Sequence, residues 1–477
     1  MAAVESGFPN VQPEASEALE IEVKTDGAEN VPKDEPGVSS SQWVVSIREK
    51  LEQVRRDTAE PKWERLSIYW IPQFLKDGED KAYVPQIVSL GPYHNGKEHL
   101  RPMDWHKLRC LRCLLKRSNQ QISVYLDSVK EVEEIARACY EGTISMSSND
   151  FVEMLVLDGC FVIELIQGVA KGFNVLGYLP TDPIFSMWGS MLKVQIKRDM
   201  IMLENQIPLF ILKRLLSLQH DNPIDEQYMA SLVLKFFDFH GQGGPSSSSQ
   251  CELHCLEVIW RAFLPSSLEG EGAKGWSQNR QQLIPCVTEL QEAGIKFRTD
   301  ARNLGDIRFK SEDGILEIPS LVIHEGTRSL FLNLMAFEKS HFGCGNHVTS
   351  YVIFMHNLMN SPEDVQYLCS HDIIKHCLMS NAEVANLFNR LCQEVALDME
   401  DSYLLNLSAE VYVYRLRKNI SWKAVLIQKW NSWSAILKNK YFDNPWSIIS
   451  FIAALVLLVL TFIQSFYAVY GYYRLHS

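Results

Sequence analysis

DFVEMLVLDGCFVIELIQGV, residues 150–169, is the stretch on which the fold turns. Asp150 is placed to cap a helix whose apolar side chains fall on most faces rather than along one stripe. A helix of that kind has to sit at the centre of a body, wrapped by other helices. Downstream, MLKVQIKRDMIMLENQIPLFILKRLLSL (191–218) carries Pro208 near its middle. Proline lacks an N–H and is favoured in the first turn, so the pattern predicts two helices. The second begins at Pro208, with a preceding amide side chain, Asn205 or Gln206, as its cap. Upstream, prolines at 72, 85, 92 and 102 force extended or turned backbone until a helix can start near Met103. Further upstream, Val44, Ile47, Leu51 and Val54 make one apolar helical face.

Beyond Gln219 the helical pattern lapses. QGGPSSSSQ (242–250) has linker composition and 266–282 is loop-like, so a flexible loop is expected over 240–282. LIPCVTELQEAG (283–294) reads as one helix, followed by strand signals in GIKFRT, DIRFK and ILEIPSLVI, with Asp313-Gly314 as a hairpin turn. After Arg328 the helical period returns. The final segment, WSIISFIAALVLLVLTFIQSFYAVY (446–470), is uncharged and exceeds the ~20 residues a helix needs to cross a bilayer. Fourteen of the residues from Ile448 to Val469 are Leu, Ile, Val or Phe, and aromatics flank both ends as an interfacial belt would. The expected fold class is mainly α: a large helical body with a small β-hairpin unit and a C-terminal transmembrane helix. Its parts are a disordered acidic tail (1–41), a helical body (42–440) with a β unit at 295–324, and the membrane helix (446–470).

Net charge is −12, and residues 1–41 hold nine acids against two lysines. The remainder is mildly acidic with no basic stripe evident from the sequence, which argues against nucleic acid as a partner. The N-terminus has neither a basic nor an apolar leader pattern, so a cleaved secretory signal is not expected. Eleven scattered cysteines suit reduced thiols. Lys429, Lys438 and Lys440 precede the membrane run and only Arg474 follows it, which leaves the body cytosolic, with the plasma membrane as the expected compartment. Asn406 and Asn419 would then be unused glycosylation sequons. The expected partners are the lipid bilayer and a protein yet to be identified.

The chemical motifs are sparse. GPYHNGKE (91–98) nearly spells a phosphate loop, but Glu98 replaces the hydroxyl residue and Pro92 removes an amide. A turn that positions Tyr93 and His94 is the better reading. Asp158, Glu164, Asp199 and Glu204 lie in strongly apolar helical runs, where acids need partners. They are candidates for an acid–base pair in a membrane-proximal pocket; the alternative, and the one favoured, is a structural network with Arg, Lys and backbone amides. His341, Cys344 and His347, with His324 as a possible fourth, are metal-capable, but their spacing matches no usual zinc pattern. Cys110 and Cys113 lack a second CxxC pair. No cofactor motif and no hydrolase or dinucleotide fingerprint is present.

Several segments together resemble a plant family, domain of unknown function 247. They are IPQFL (71–75), AYVPQIVSLGPYHNG (82–96), LVLDGCFVIELI (155–166), DMIMLENQIPLFIL (199–212), IPSLVIHEGTRSLFLNLMAFEK (318–339), YVIFMHNLMNSPEDV (351–365) and YFDNPWSIISFIAALVLLVLTFIQSFYAVYGYY (441–473). Asn95 and His356 depart from the family pattern, which often has His and Asp there. The resemblance implies mostly helical membrane proteins with no established reaction. Some grass members are implicated in pollen–stigma self-incompatibility; no residue here points to that role.

Overall fold

The structure, a computed structural model, describes residues 42–57, 65–76, 80–185, 190–219, 224–239, 253–266, 284–300, 303–378, 380–393, 402–418 and 445–474. The tail expected over 1–41 lies outside the described residues. The helix Gln42–Asp57 falls mainly in a unit of its own, Met1–Arg56, and exposes Trp43 and Leu51. The second unit runs from Asp57 to Ser477.

The central helix is Ser148–Lys171, and most of its side chains are buried. Its cap is Ser147 rather than Asp150: the Ser147 hydroxyl accepts from the Asp150 amide at 3.2 Å, and Asp150 supplies the acid of the first turn. Helices Pro102–Ser118, Ile122–Lys130, Leu209–Ser217 and Glu226–Phe236 pack around it and close a first apolar core. A second core is built by Thr327–Ser340, His347–Leu358, Pro362–Ser370 and Asn381–Gln393, together with two small sheets.

In the first sheet, β1 (Lys296–Asp300) lies parallel to β3 (Ile315–Pro319), which pairs antiparallel with β2 (Arg308–Lys310). The β2–β3 hairpin turns at Asp313-Gly314 as the sequence predicts, with Gly314 at φ +66°. The last strand, β4 (Leu321–Ile323), leaves that unit and pairs parallel with β5 (Ile374–His376). Three residues of IKH carry no alternation from which β5 could be read.

Two sequence expectations fail between the cores. The helix starting at Ser190 ends at Met200, eight residues before Pro208, and the next runs Leu209–Ser217 with no side-chain cap at Pro208. Residues 201–207 are a buried turn. The span 240–282, expected to be loop, contains the helix Cys255–Phe263, capped by His254 and buried along Leu256, Ile259, Trp260 and Phe263. Those four recur at i, i+3, i+4 and i+7, a helical period hidden in the sequence by the loop-like composition on either side. The rest of that span, 240–252 and 267–282, lies outside the described residues. Both corrected segments straddle the seam. Ile201 and Leu203 belong to the second core and Ile207 to the first; Leu256 and Ile259 belong to the second, Cys255 and Val258 to the first.

At the C-terminus Pro445–Arg474 is one continuous helix. Within it the side chains are described without a break only over 452–467, and among the described residues no helix is long and apolar enough to cross a membrane. The transmembrane helix expected over 446–470 is thus not a feature of the fold as described.

Candidate functional site

Residues 84–97 form neither helix nor strand, yet Val88, Ser89, Leu90 and His94 are buried. Backbone amides in such a segment need partners other than a regular ladder. Of the six amides from Gln86 to Gly91, five donate to buried side chains. Asp199 takes Gln86, Ile87 and Val88 at 3.0, 2.6 and 3.0 Å. The Asn205 side-chain oxygen takes Leu90 at 2.7 Å, and Asp158 takes Gly91 at 2.9 Å. The carbonyls are met in the same way: Asn205 donates to Val88 at 3.0 Å and Lys107 to Ser89 at 2.7 Å. Gly91 sits at φ +73°, and a Cβ there would lie 2.7 Å from the Gln206 carbonyl oxygen. The Gly91 amide is already committed to Asp158, so this loop does not cradle phosphate.

The turn does position Tyr93 and His94. The Tyr93 hydroxyl donates to the carbonyls of Ile68 and Glu141, while His94 turns inward towards Glu204. Glu204 accepts from the Ile71 amide and from Lys76 Nζ, each at 2.7 Å. Its second oxygen lies 3.3 Å from His94 Nε2, misaligned for a hydrogen bond. On the other ring edge, Lys97 Nζ is 2.7 Å from His94 Nδ1. Burial pushes the Glu204 carboxyl up, but His94, Lys76 and the Ile71 amide together hold it below the usual range. Burial drives His94 down and so keeps it neutral. Neutral His94 then accepts from Lys97 and keeps its proton on the Nε2 that faces Glu204.

Asp158 and Asp199 differ from Glu204: burial raises both, against Lys107 for Asp158 and against the three amides for Asp199. Asp158 pairs with Lys107 at 2.5 Å. Glu164 lies elsewhere, held by Arg117 and by the Tyr178 hydroxyl at 2.8 Å. Two of the four sequence candidates, Asp158 and Asp199, thus serve one irregular segment, and Glu204 adjoins it through His94 while holding Ile71 and Lys76. Their neighbours Asn205 and Gln206 do not cap the helix Leu209–Ser217. Asn205 holds the segment, and Gln206 donates to the carbonyls of Met200 and Met202 while accepting from the Leu256 amide.

The proposed metal ligands do not converge. His341 Nδ1 meets the Tyr69 hydroxyl at 2.8 Å, and its ring stacks on Phe337. The Cys344 thiol is pushed up to about 12 by burial, and His347 packs against Tyr403. Among the described residues no group of three His, Cys, Asp or Glu could hold a metal ion. The described cysteines are free thiols, Cys110 and Cys113 included.

Three buried polar residues escaped the sequence reading. Asn333 accepts from the Leu203 amide at 2.9 Å and donates to the Ala82 carbonyl at 2.9 Å, tying the buried turn 201–207 to the helix Asp80–Tyr83 on the second core's side. A fully buried Asn inside LFLNLMAF was the available signal. Glu338 accepts from the Val348 and Thr349 amides, capping the His347–Leu358 helix. His254 contacts the Ser67 carbonyl through Nε2 at 3.0 Å, while Nδ1 accepts from the Glu257 amide. Burial lowers His254 to about 3, below its unfolded value of 6.5. The unfolded chain therefore binds the extra proton first, and this contribution to stability is complete above pH 6.5 and shrinks as pH falls towards 3. His254→Asn keeps an acceptor for the cap and removes the titration. The slope of stability against pH between 6.5 and 4.5 is expected to fall by one proton, about 1.4 kcal/mol per pH unit. An unaltered slope in acid-titrated thermal melts would mean that His254 does not stay neutral in the fold.

The seam reaches the surface beside Ile71. Trp70 is 46% exposed and packs on Tyr93 with ring centroids 3.9 Å apart and planes tilted by 31°; Phe74 is 73% exposed, and Lys76 lies over the Trp70 ring.

A family of plant proteins of unknown function, DUF247, matches residues 68–460. UPF0481 protein At3g47200 of Arabidopsis thaliana is 30% identical over 441 residues, covering 86% of this chain and 87% of that protein. Putative UPF0481 protein At3g02645 of the same plant is 21% identical, covering 90% of this chain and 95% of its own length. No solved structure matches the chain.

Proposed function

The chain belongs to the DUF247 family of plant proteins, and from that membership and the seam geometry we propose a membrane-held interaction protein with a cytosolic body. One observation carries the non-catalytic part of this reading. Acid–base chemistry needs a carboxyl free to exchange a proton with a substrate, and here each candidate is spent on the fold. Asp158 is taken by Lys107 and Gly91, Glu164 by Arg117 and Tyr178, Asp199 by three amides, and Glu204 by Lys76 and Ile71. The exposed Trp70 and Phe74 supply the kind of aromatic surface that anchors protein partners.

The anchor rests on sequence: an uncharged run from 446 to 470, flanking aromatics, and three lysines ahead of it against one arginine after. The expectation is that the full chain stays with the membrane pellet after alkaline carbonate extraction, with Asn406 unglycosylated. Release into the supernatant removes the anchor, and a glycan on Asn406 reverses the orientation. Proximity labelling with the full chain tests the interaction half: Phe74→Ala, which removes the more exposed of the two rings, is expected to deplete a specific set of neighbours without lowering the melting temperature. An identical labelled set for wild type and variant would refute a partner at this face.

A further inference from the structure

The helix Pro102–Ser118 buries Met103, Lys107, Cys110, Leu111 and Leu114 against the first core. Along its outer face runs one row, bordered by the exposed Asp104, which lies 3.6 Å from Lys107. Arg101, Trp105, Leu108, Arg112 and Lys116 stand at i, i+4, i+7, i+11 and i+15, and all five are exposed, Trp105 by 62% and Leu108 by 53%. Among the described residues Arg101, Arg112 and Lys116 have no ion-pair partner. The neighbouring loop is tied to the same helix by the Arg109–Asp182 pair and by Arg117 donating to the Leu176 carbonyl at 3.0 Å. That loop exposes Val175 and Leu179, each about 70%.

We propose that this row is a docking surface for an anionic lipid bilayer. Three cations free of acidic partners, on a chain of net charge −12, form a local positive stripe that the overall charge conceals. Between them lie a tryptophan and a leucine, with two further aliphatic side chains alongside. Cations at headgroup depth with an indole and aliphatic tips just below is the composition of interfacial helices. The row spans about 22 Å along a straight helix, which suits a flat, extended surface. Duplex nucleic acid would also take the cations, but it offers nothing to the exposed Leu108, Val175 and Leu179. For its geometry the inference rests on the reading of the chain as membrane-held; the stripe's charge and apolarity stand without it.

The test uses the full chain reconstituted into nanodiscs of phosphatidylcholine, with or without phosphatidylserine, carrying lipids brominated near the headgroup. Tryptophan quenching is expected in the phosphatidylserine discs, weaker in the neutral ones, and diminished by Trp105→Phe. If the chain will not stay in the discs, the anchor reading fails by itself. The same full chain mixed with phosphatidylserine vesicles should then still bind in a salt-sensitive way, roughly a hundredfold more tightly than R101E/R112E/K116E. Wild-type quenching retained in Trp105→Phe overturns the proposal, as does vesicle affinity unchanged by the triple charge reversal at an unchanged melting temperature. Stripe-dependent capture of an acidic protein with no lipid dependence overturns it as well, because the stripe would then serve a protein partner.

Discussion

Asp199→Ala is expected to remove about 3–6 kcal/mol of stability from the body. That is a large share of the stability of an ordinary protein, which lies near 5–15 kcal/mol. The reason is the number of donors that one side chain serves. Gln86, Ile87 and Val88 send three consecutive amides to this carboxylate, and the segment has no regular ladder to fall back on. Each stranded buried donor costs about 1–3 kcal/mol. Against this stands the cost of burying the acid, visible in the upward push on its carboxyl. Removing one member of a buried polar set nevertheless costs more than the set was worth, because the remaining groups stay behind without partners. Asp199→Asn retains one acceptor oxygen for Ile87 and Val88, and about 1–2 kcal/mol is the expected loss. The measurement is the apparent melting temperature of the full chain by tryptophan fluorescence. A wild-type melting temperature for Asp199→Ala would show that the amides find water or other acceptors, and that the carboxylate has another use.

The same arrangement explains which parts of the molecule could be read from sequence. The central helix announces itself because burial on most faces leaves a local record: an apolar run with almost no polar stripe. The β2–β3 hairpin announces itself through Asp313-Gly314, a turn whose φ requirement is local. The seam leaves no such record. Gln86 and Asp199 are 113 positions apart, and Leu90 and Asn205 are 115 apart. Nothing in the period around Asp199 indicates that its partners are amides in a proline-punctuated stretch. The sequence does flag Asp158, Asp199 and Glu204 as acids in apolar surroundings that must have partners. Their partners are backbone as much as Lys or Arg, and this also defeats the helix predicted through Glu204. A residue that must reach the Ile71 amide and Lys76 cannot also be kept in register on a helix continuing from Met200. His341, Cys344 and His347 mislead for the opposite reason. Residue type and nearness in sequence suggest a cluster, while the fold directs His341 to Tyr69 and Phe337 and His347 to Tyr403.

Glu204→Ala tests whether the surface end of the seam is structure or site. The carboxylate holds the Ile71 amide and Lys76 with one oxygen and faces His94 with the other. Deletion strands the amide and leaves Lys76 without its counter-charge. Breaking a buried pair by removing one partner costs about 3–5 kcal/mol, so a large fall in melting temperature is expected. Glu204→Gln should cost less, since the amide oxygen can still accept from Ile71. It loses the charge opposite Lys76, and its NH2 meets the proton on His94 Nε2. The acid dependence separates the two variants from wild type. Glu204 is held below its unfolded value, so its contribution is complete above pH 4.5 and is lost as pH falls through its folded value. Both variants should lack that acidic limb, and Glu204→Gln should otherwise track wild type. Because Ile71 adjoins the exposed Trp70, loosening this anchor also frees the aromatic face assigned to a partner. Neighbour labelling in Glu204→Ala should therefore fall together with stability. Labelling that disappears while the melting temperature and acid limb stay at wild-type values would place Glu204 in the recognition surface itself.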